Sequence, residues 1–143
     1  MGCDFLLTVR GVQRREDQTE PDIIELTTEA ELTGEHGVLF LRYQESELTG
    51  LKGTTTTFEL QPHKVILRRS GALSNEMEFV VGQVHQSLYD VGDGALLITL
   101  HTTAIEDEMT LQGGTLHVAY NITIENMGMG KIDYFLTVVP KAK

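Results

Sequence analysis

The sequence predicts an all-β protein, a single antiparallel barrel of about eight to ten strands. Three observations carry that prediction. Apolar and polar residues alternate with period two along most of the chain, the pattern of strands with one buried face. The runs are joined by short stretches rich in Gly, Pro, Asn and Asp, which supply the backbone angles of hairpin turns. No segment carries convincing helical periodicity. Strands without helices bury their apolar faces by closing into a barrel or, in the other arrangement, by stacking as a two-sheet sandwich.

The first run, Asp4 to Arg15, places Phe5, Leu7, Val9 and Gly11 on one parity and Leu6, Thr8, Arg10 and Val12 on the other. Glu16 to Asp22 is a polar loop containing Pro21. In Ile23 to Leu32, Ile24, Leu26, Thr28, Ala30 and Leu32 alternate with Glu25, Thr27, Glu29 and Glu31. A helix would bring Glu25 and Glu29 together but scatter the apolar set, so the period-two reading wins. Thr33 to Gly37 is read as a hairpin loop with glycines available for positive φ. It leads into Val38 to Glu45, apolar on both parities and therefore a central or strongly curved strand.

Ser46 to Gly53 is a turn region. Gly50 to Gln83 then holds three strand runs in close succession: Thr54 to Leu60, Lys64 to Ser70 and Glu76 to Val81. Pro62-His63 and Gly71 to Asn75 separate them. The threonines Thr54 to Thr57 register only as β propensity. Val84 to Val91 continues as a strand, Gly92-Asp93-Gly94 turns the chain, and Ala95 to Ala104 alternates again. Glu106-Asp107-Glu108 is read as a solvated tip and Gly113-Gly114 as a bulge. Leu116, Val118, Tyr120, Ile122 and Ile124 form the clearest apolar stripe. Asn126 to Gly130 turns the chain into the last strand, Lys131 to Val139, and Pro140 ends it.

At 143 residues with 41% hydrophobic content, the chain is expected to form one domain, residues 1–143, with a core of its own. Net charge is −10, with 21 acidic against 11 basic residues, a balance that repels nucleic-acid phosphates and anionic lipid. The basic clusters Arg14-Arg15 and Arg68-Arg69 have no interleaved aromatic platform. Nucleic acid and membrane are therefore not expected as partners, whereas a basic protein is compatible. No apolar run approaches the ~20 residues of a spanning helix. The N-terminal stretch lacks the basic and apolar segments of a secretory signal, and Leu6 occupies the position where myristoylation needs Ser or Thr. The lone Cys3 allows no internal disulfide and fits a reducing compartment, so a cytoplasmic location is expected.

The chemistry is sparse. His36, His63, His85, His101 and His117 form no metal-binding motif, and surface histidines are the expectation. His101 and His117 would face each other only if their strands paired about a tip at Met109. No nucleophile elbow, phosphate loop or paired-carboxylate motif is present, and His85 with Ser87 is too little for a triad. Arg68-Arg69 is more informative, because successive side chains on a strand point to opposite faces. Val65, Leu67 and Arg69 share the more apolar face, which makes Arg69 the inward arginine. A buried arginine needs a hydrogen-bonding or acidic partner, and Glu45, on the Leu39, Leu41 and Tyr43 parity, is the favoured one. Arg69 is either an arginine at the barrel rim, half of a buried pair that braces closure, or an anion or carboxylate clamp inside a cavity, since a guanidinium offers rigid bidentate donors. Tyr43, Tyr89 and Tyr120 are the further candidates to line that interior.

The order and spacing of LFLRYQE, GTTTTFEL, VILRRSG, MEFVVG, LYDVGDGALLITLHT and GGTLHVAYNITIE resemble the YwiB-like family of uncharacterised bacterial proteins. The resemblance runs from about Asp4 to Val139. Its more specific parts are Tyr43-Gln44-Glu45, the threonines before Phe58, Arg69-Ser70-Gly71, Phe79 with Gly82, Tyr89 with Gly94, and Tyr120. Asp90 to Gly94 departs from the family's Thr-Pro-Tyr-Gly turn. The resemblance implies a calycin-like (lipocalin-like) barrel and lends no activity.

Together these readings predict a non-catalytic protein, without a cofactor, that binds a small apolar or amphipathic ligand inside the barrel at Tyr43, Glu45, Arg69, Tyr89 and Tyr120. The rival is a protein with a packed core whose acidic exterior binds a basic partner. A hydrolase using the Arg69 and Glu45 region is a distant third. An exposed edge strand also leaves a homodimer open.

Overall fold

The computed structural model describes residues 4–15, 19–45, 52–71, 74–90, 94–124 and 128–141, without the side chains of residues 89, 90 and 129. Ten strands follow one another: β1 (Phe5–Arg15), β2 (Asp22–Glu35), β3 (Val38–Gln44), β4 (Thr54–Gln61), β5 (Lys64–Gly71), β6 (Asn75–Phe79), β7 (Val84–Asp90), β8 (Ala95–Thr110), β9 (Gly113–Ile124) and β10 (Gly128–Pro140). They form one antiparallel sheet in the order β6-β5-β4-β3-β2-β1-β10-β9-β8-β7. Each strand except the two at the seam is therefore paired on both sides, and the sheet curls into a nearly closed ten-stranded barrel.

The seam lies between β6 and β7, where the ladder is replaced by individual bonds. Ser87 Oγ donates to the Glu76 carbonyl at 2.7 Å. The connecting turn is tied to β8 by Gly82 N–H on the Thr102 carbonyl at 3.0 Å and Thr102 N–H on the Gln83 carbonyl at 3.4 Å. These bonds meet backbone groups that an open edge would otherwise leave for another strand.

Period-two alternation does what the sequence implied. Leu7, Leu41, Phe58, Leu67, Phe79, Leu100, Leu116, Val118, Tyr120, Leu136 and Val138 point inward and are almost wholly buried. Fully burying a residue of this kind contributes roughly 1.5–3 kcal/mol, so the interior stripes are the main support of the closed sheet. The outward parity carries Arg10, Glu25, Glu29, Glu31, Arg42, Arg68, Glu76 and Glu106, all exposed.

Four local readings change. The hairpin loop expected over Thr33 to Gly37 shrinks to His36-Gly37, because β2 runs on to Glu35 and pairs with Val38. Both turn residues have positive φ, 53° and 81°, the geometry that matches the twist of a two-residue hairpin. Glu106 to Glu108 is strand, not a tip: β8 continues to Thr110 and turns at Leu111-Gln112. An outward strand face solvates carboxylates as well as a loop does, which is why composition alone misplaced it. The bulge falls between Thr102 and Ala104 rather than at Gly113-Gly114. Those glycines instead admit close strand approach, since a Cβ would lie 2.4 Å from the Val138 carbonyl oxygen at Gly113 and 2.2 Å from that of Glu108 at Gly114. The turn expected over Asn126 to Gly130 gives way to strand from Gly128, where β10 already begins to pair with β9. Of the predicted loops and turns, residues 16–18, 46–51, 72–73, 91–93 and 126–127 lie outside the described residues.

Candidate ligand cavity

The C-terminal ends of β1, β3, β5, β7 and β9 and the N-terminal ends of β2, β4, β6, β8 and β10 gather at one end of the barrel, and the inward stripes change character as they approach it. On β3 the stripe Leu39, Leu41, Tyr43 passes to Glu45. On β4, Leu60 and Phe58 give way to Thr56 and Thr54. On β5, Val65 and Leu67 are followed by Arg69, and β6 begins with Asn75. The register puts Tyr43 and Arg69 on either side of Thr56, and Asn75 beyond Arg69. A polar layer thus tops an otherwise apolar interior.

Alternation also separates the two arginines. Arg68 faces outward, where its Nε donates to Glu76 at 2.8 Å and its Nη1 to Glu59. Arg69 faces inward and lines a cavity of ≈130 Å³. Val9, Val12, Leu26 and Ile132 supply apolar wall, and Gly11, Tyr43, Glu45 and Tyr134 complete the inner part. Asp22 and Ile24, both exposed, stand at the mouth with Gln13.

Within the cavity the acidic and basic groups are held differently. Glu45, only 7% exposed, accepts the Thr56 hydroxyl at 2.5 Å and the hydroxyl of Tyr43. Burial, and then the neighbouring Glu45 charge, push the Tyr43 phenol well above its ordinary range, so it stays a protonated donor. Arg69 is pulled down by burial, but Tyr134, Tyr43 and Glu45 outweigh that effect and keep it cationic. Tyr134 lies within hydrogen-bonding reach of both Arg69 and Tyr120. Tyr120 is raised well above its ordinary range by burial first, then by Tyr134. Its ring packs on Phe79 at 4.8 Å and Tyr134 at 6.2 Å between centroids.

The proposed cavity residues therefore divide. Tyr43, Glu45 and Arg69 line one cavity. Tyr120 stands behind Tyr134 and supports it without lining the space. Tyr89 lies on β7 opposite Leu96, and its side chain is outside the described set. The sequence reading missed Tyr134, Thr56 and Gly11. Tyr134 had a signal, since Ile132, Tyr134, Leu136 and Val138 share one parity. Thr56 was hidden in a threonine run, and only its bond to Glu45 marks it. At Gly11 a Cβ would lie 3.4 Å from the Tyr134 ring, an ordinary contact distance, so this position packs directly beneath the ring.

The histidines go elsewhere. His101 pairs with Asn121 and His117 with Glu106, so the two are not opposite each other; the turn at Leu111-Gln112 sets that register. On the outer face, His117 bonds Glu106 through Nδ1 and Asp133 through Nε2, each at 2.8 Å, and stacks on Phe135 at 4.4 Å. Among the described residues no group of three or more His, Cys, Asp or Glu could hold a metal ion. Nor is any described helix long and apolar enough to cross a membrane. A more open depression of ≈620 Å³ lies at the opposite end of the barrel, between the β2–β3, β4–β5 and β6–β7 turns.

Comparison with known proteins agrees with this architecture. The crystal structure of the ywiB protein from Bacillus subtilis superposes with a TM-score of 0.79 at 21% identity, covering 96% of this chain and 92% of that one, which shows a shared fold. No curated protein matches the chain. Residues 7–136 match the model of a family described as a domain of unknown function, DUF1934, and the chain belongs to that family.

Proposed function

We propose that this protein is a non-catalytic binding module that holds a small apolar or amphipathic ligand inside its barrel, in the manner of a lipocalin-like container. The observation that carries the reading is the cavity of ≈130 Å³, in which Val9, Leu26 and Ile132 face Tyr43, Glu45, Arg69 and Tyr134. Ligand sites combine apolar walls with a few convergent polar groups in this way, and a barrel of this size accommodates one small molecule. Glu45 already accepts bonds from Thr56 and Tyr43, an arrangement that favours binding over acid–base work on a substrate. The exterior acids and the lone cysteine, Cys3, favour a cytoplasmic setting.

Native mass spectrometry of the protein isolated from its own host is the test. A protein ion carrying a small added mass, lost on denaturation, supports the reading. A bare mass under the gentlest conditions, together with methyl resonances of Val9 and Leu26 that no small apolar probe perturbs, overturns it.

The second reading, an interaction protein with a packed core, rests on the net charge of −10 and on how much of the barrel is filled by side chains. A basic protein that co-purifies and is lost as salt rises supports that reading.

A further inference from the structure

The polar layer above the core has unmet hydrogen-bonding capacity, shared among Thr54, Arg69 and Asn75. Among the described residues, the buried side-chain nitrogens and oxygens without a partner are Thr54 Oγ1, Arg69 Nε and both amide atoms of Asn75. All belong to one contiguous patch. Thr54 is two residues from Thr56 on the same face of β4, Thr56 lies opposite Arg69, and Arg69 lies opposite Asn75. Buried polar groups in native proteins are ordinarily satisfied by protein, water or ligand, because leaving one unmet costs roughly 1–3 kcal/mol. Of the three residues in this patch, Arg69 is the one that lines the cavity.

The sign of the open capacity selects a ligand. Glu45 has its carboxylate engaged by Thr56 and Tyr43, and Asp22 at the mouth is not free either. Arg69 is the cationic group that lines the cavity, and a guanidinium calls for an acceptor, most strongly for a carboxylate. The remaining wall is apolar: Val9, Val12, Leu26 and Ile132. The volume of ≈130 Å³ is near that of the engineered apolar cavity, about 150 Å³, that takes one benzene ring. Two acids near the site disfavour a second negative charge on the ligand.

Resting on the cavity reading above, we infer that the ligand is a small monocarboxylic acid with a compact apolar body, its carboxylate on Arg69 and its body against Val9, Leu26 and Ile132.

Titration of the full chain at neutral pH with benzoate, benzyl alcohol and benzylamine, followed by calorimetry and by methyl NMR of Val9, Leu26 and Ile132, decides it. Benzoate binding at least tenfold more tightly than its neutral and cationic counterparts, with shifts at those methyls, is the expected result. Arg69→Lys keeps the positive charge but loses the fork, and should weaken benzoate at least fivefold while leaving benzyl alcohol unchanged. If that variant does not fold, the three-ligand comparison in the unmodified protein still decides the class. Equal or tighter binding of the alcohol or the amine overturns the carboxylate and leaves the cavity reading standing. Binding of none of the three, with toluene shifting the same methyls, has the same consequence. Methyls that even toluene leaves unmoved overturn both readings.

Discussion

Thr56 donates its hydroxyl to the Glu45 carboxylate at 2.5 Å inside the barrel, and Arg69 sits directly across from Thr56 on the next strand. Thr56 is fully buried and Glu45 nearly so. An acid at such depth survives only if its lone pairs are met, so Thr56 joins the packing of β4 to the electrostatics of the cavity.

Thr56→Val tests that link. The swap preserves shape and removes the donor, leaving Glu45 with one bond fewer. Stability should fall by about 1–3 kcal/mol in urea unfolding at pH 7, and Thr56→Ser should restore most of it. A neutral Thr56→Val would show that the bond carries no net stability.

Glu45 is the last of the groups that hold Arg69 cationic, after Tyr134 and Tyr43, so the two charges should be coupled. Arg69→Met alone should destabilise by about 1–3 kcal/mol, because it removes a nearby positive charge from a buried acid and a partner from Tyr134. In a double-mutant cycle with Glu45→Gln, a coupling of about 1–3 kcal/mol is expected. Strict additivity would mean that the two charges act independently.

His117 should make stability depend on pH. Burial lowers its pKa, but the bonds to Glu106 and Asp133 outweigh that and raise the folded value above the ordinary one. The imidazolium is thus favoured in the folded state, and its contribution is fully present below about pH 6.5, the unfolded value. It is lost as pH rises through the folded value. His117→Ala should therefore cost about 1 kcal/mol at pH 6 and clearly less at pH 9, measured by chemical denaturation at both. The same loss at both pH values would rule out a charged clamp between β8, β9 and β10.

Gly114 has φ of 145°, and an added Cβ would meet the Glu108 carbonyl oxygen at 2.2 Å. Gly114→Ala must push β8 and β9 apart at their shared turn. A loss of about 2–4 kcal/mol is expected, read as a lower midpoint in thermal unfolding. An unchanged midpoint would mean that the strand ends give way freely.

The sequence by itself determined the strands, their alternation and which arginine turns inward. Each follows from short-range geometry: side chains on a strand point to opposite faces, so Arg69 shares a face with Val65 and Leu67 whatever surrounds them. Tertiary structure decided what Arg69 meets. Tyr134 arrives from β10, on the far side of the curled sheet, and its ring packs over Gly11 on β1. Thr56 gained a role only because closure buried it beside Glu45, whereas Thr55 and Thr57 in the same run face outward. The turn of β8 into β9 was not legible: the tip was placed at Glu106 to Glu108 and Gly113-Gly114 was read as a bulge, because a strand face and a loop solvate Glu106 and Glu108 equally well. Local alternation fixes orientation along one strand; which strands lie opposite one another is set by the closure of all ten, and that depends on interactions far apart in the chain.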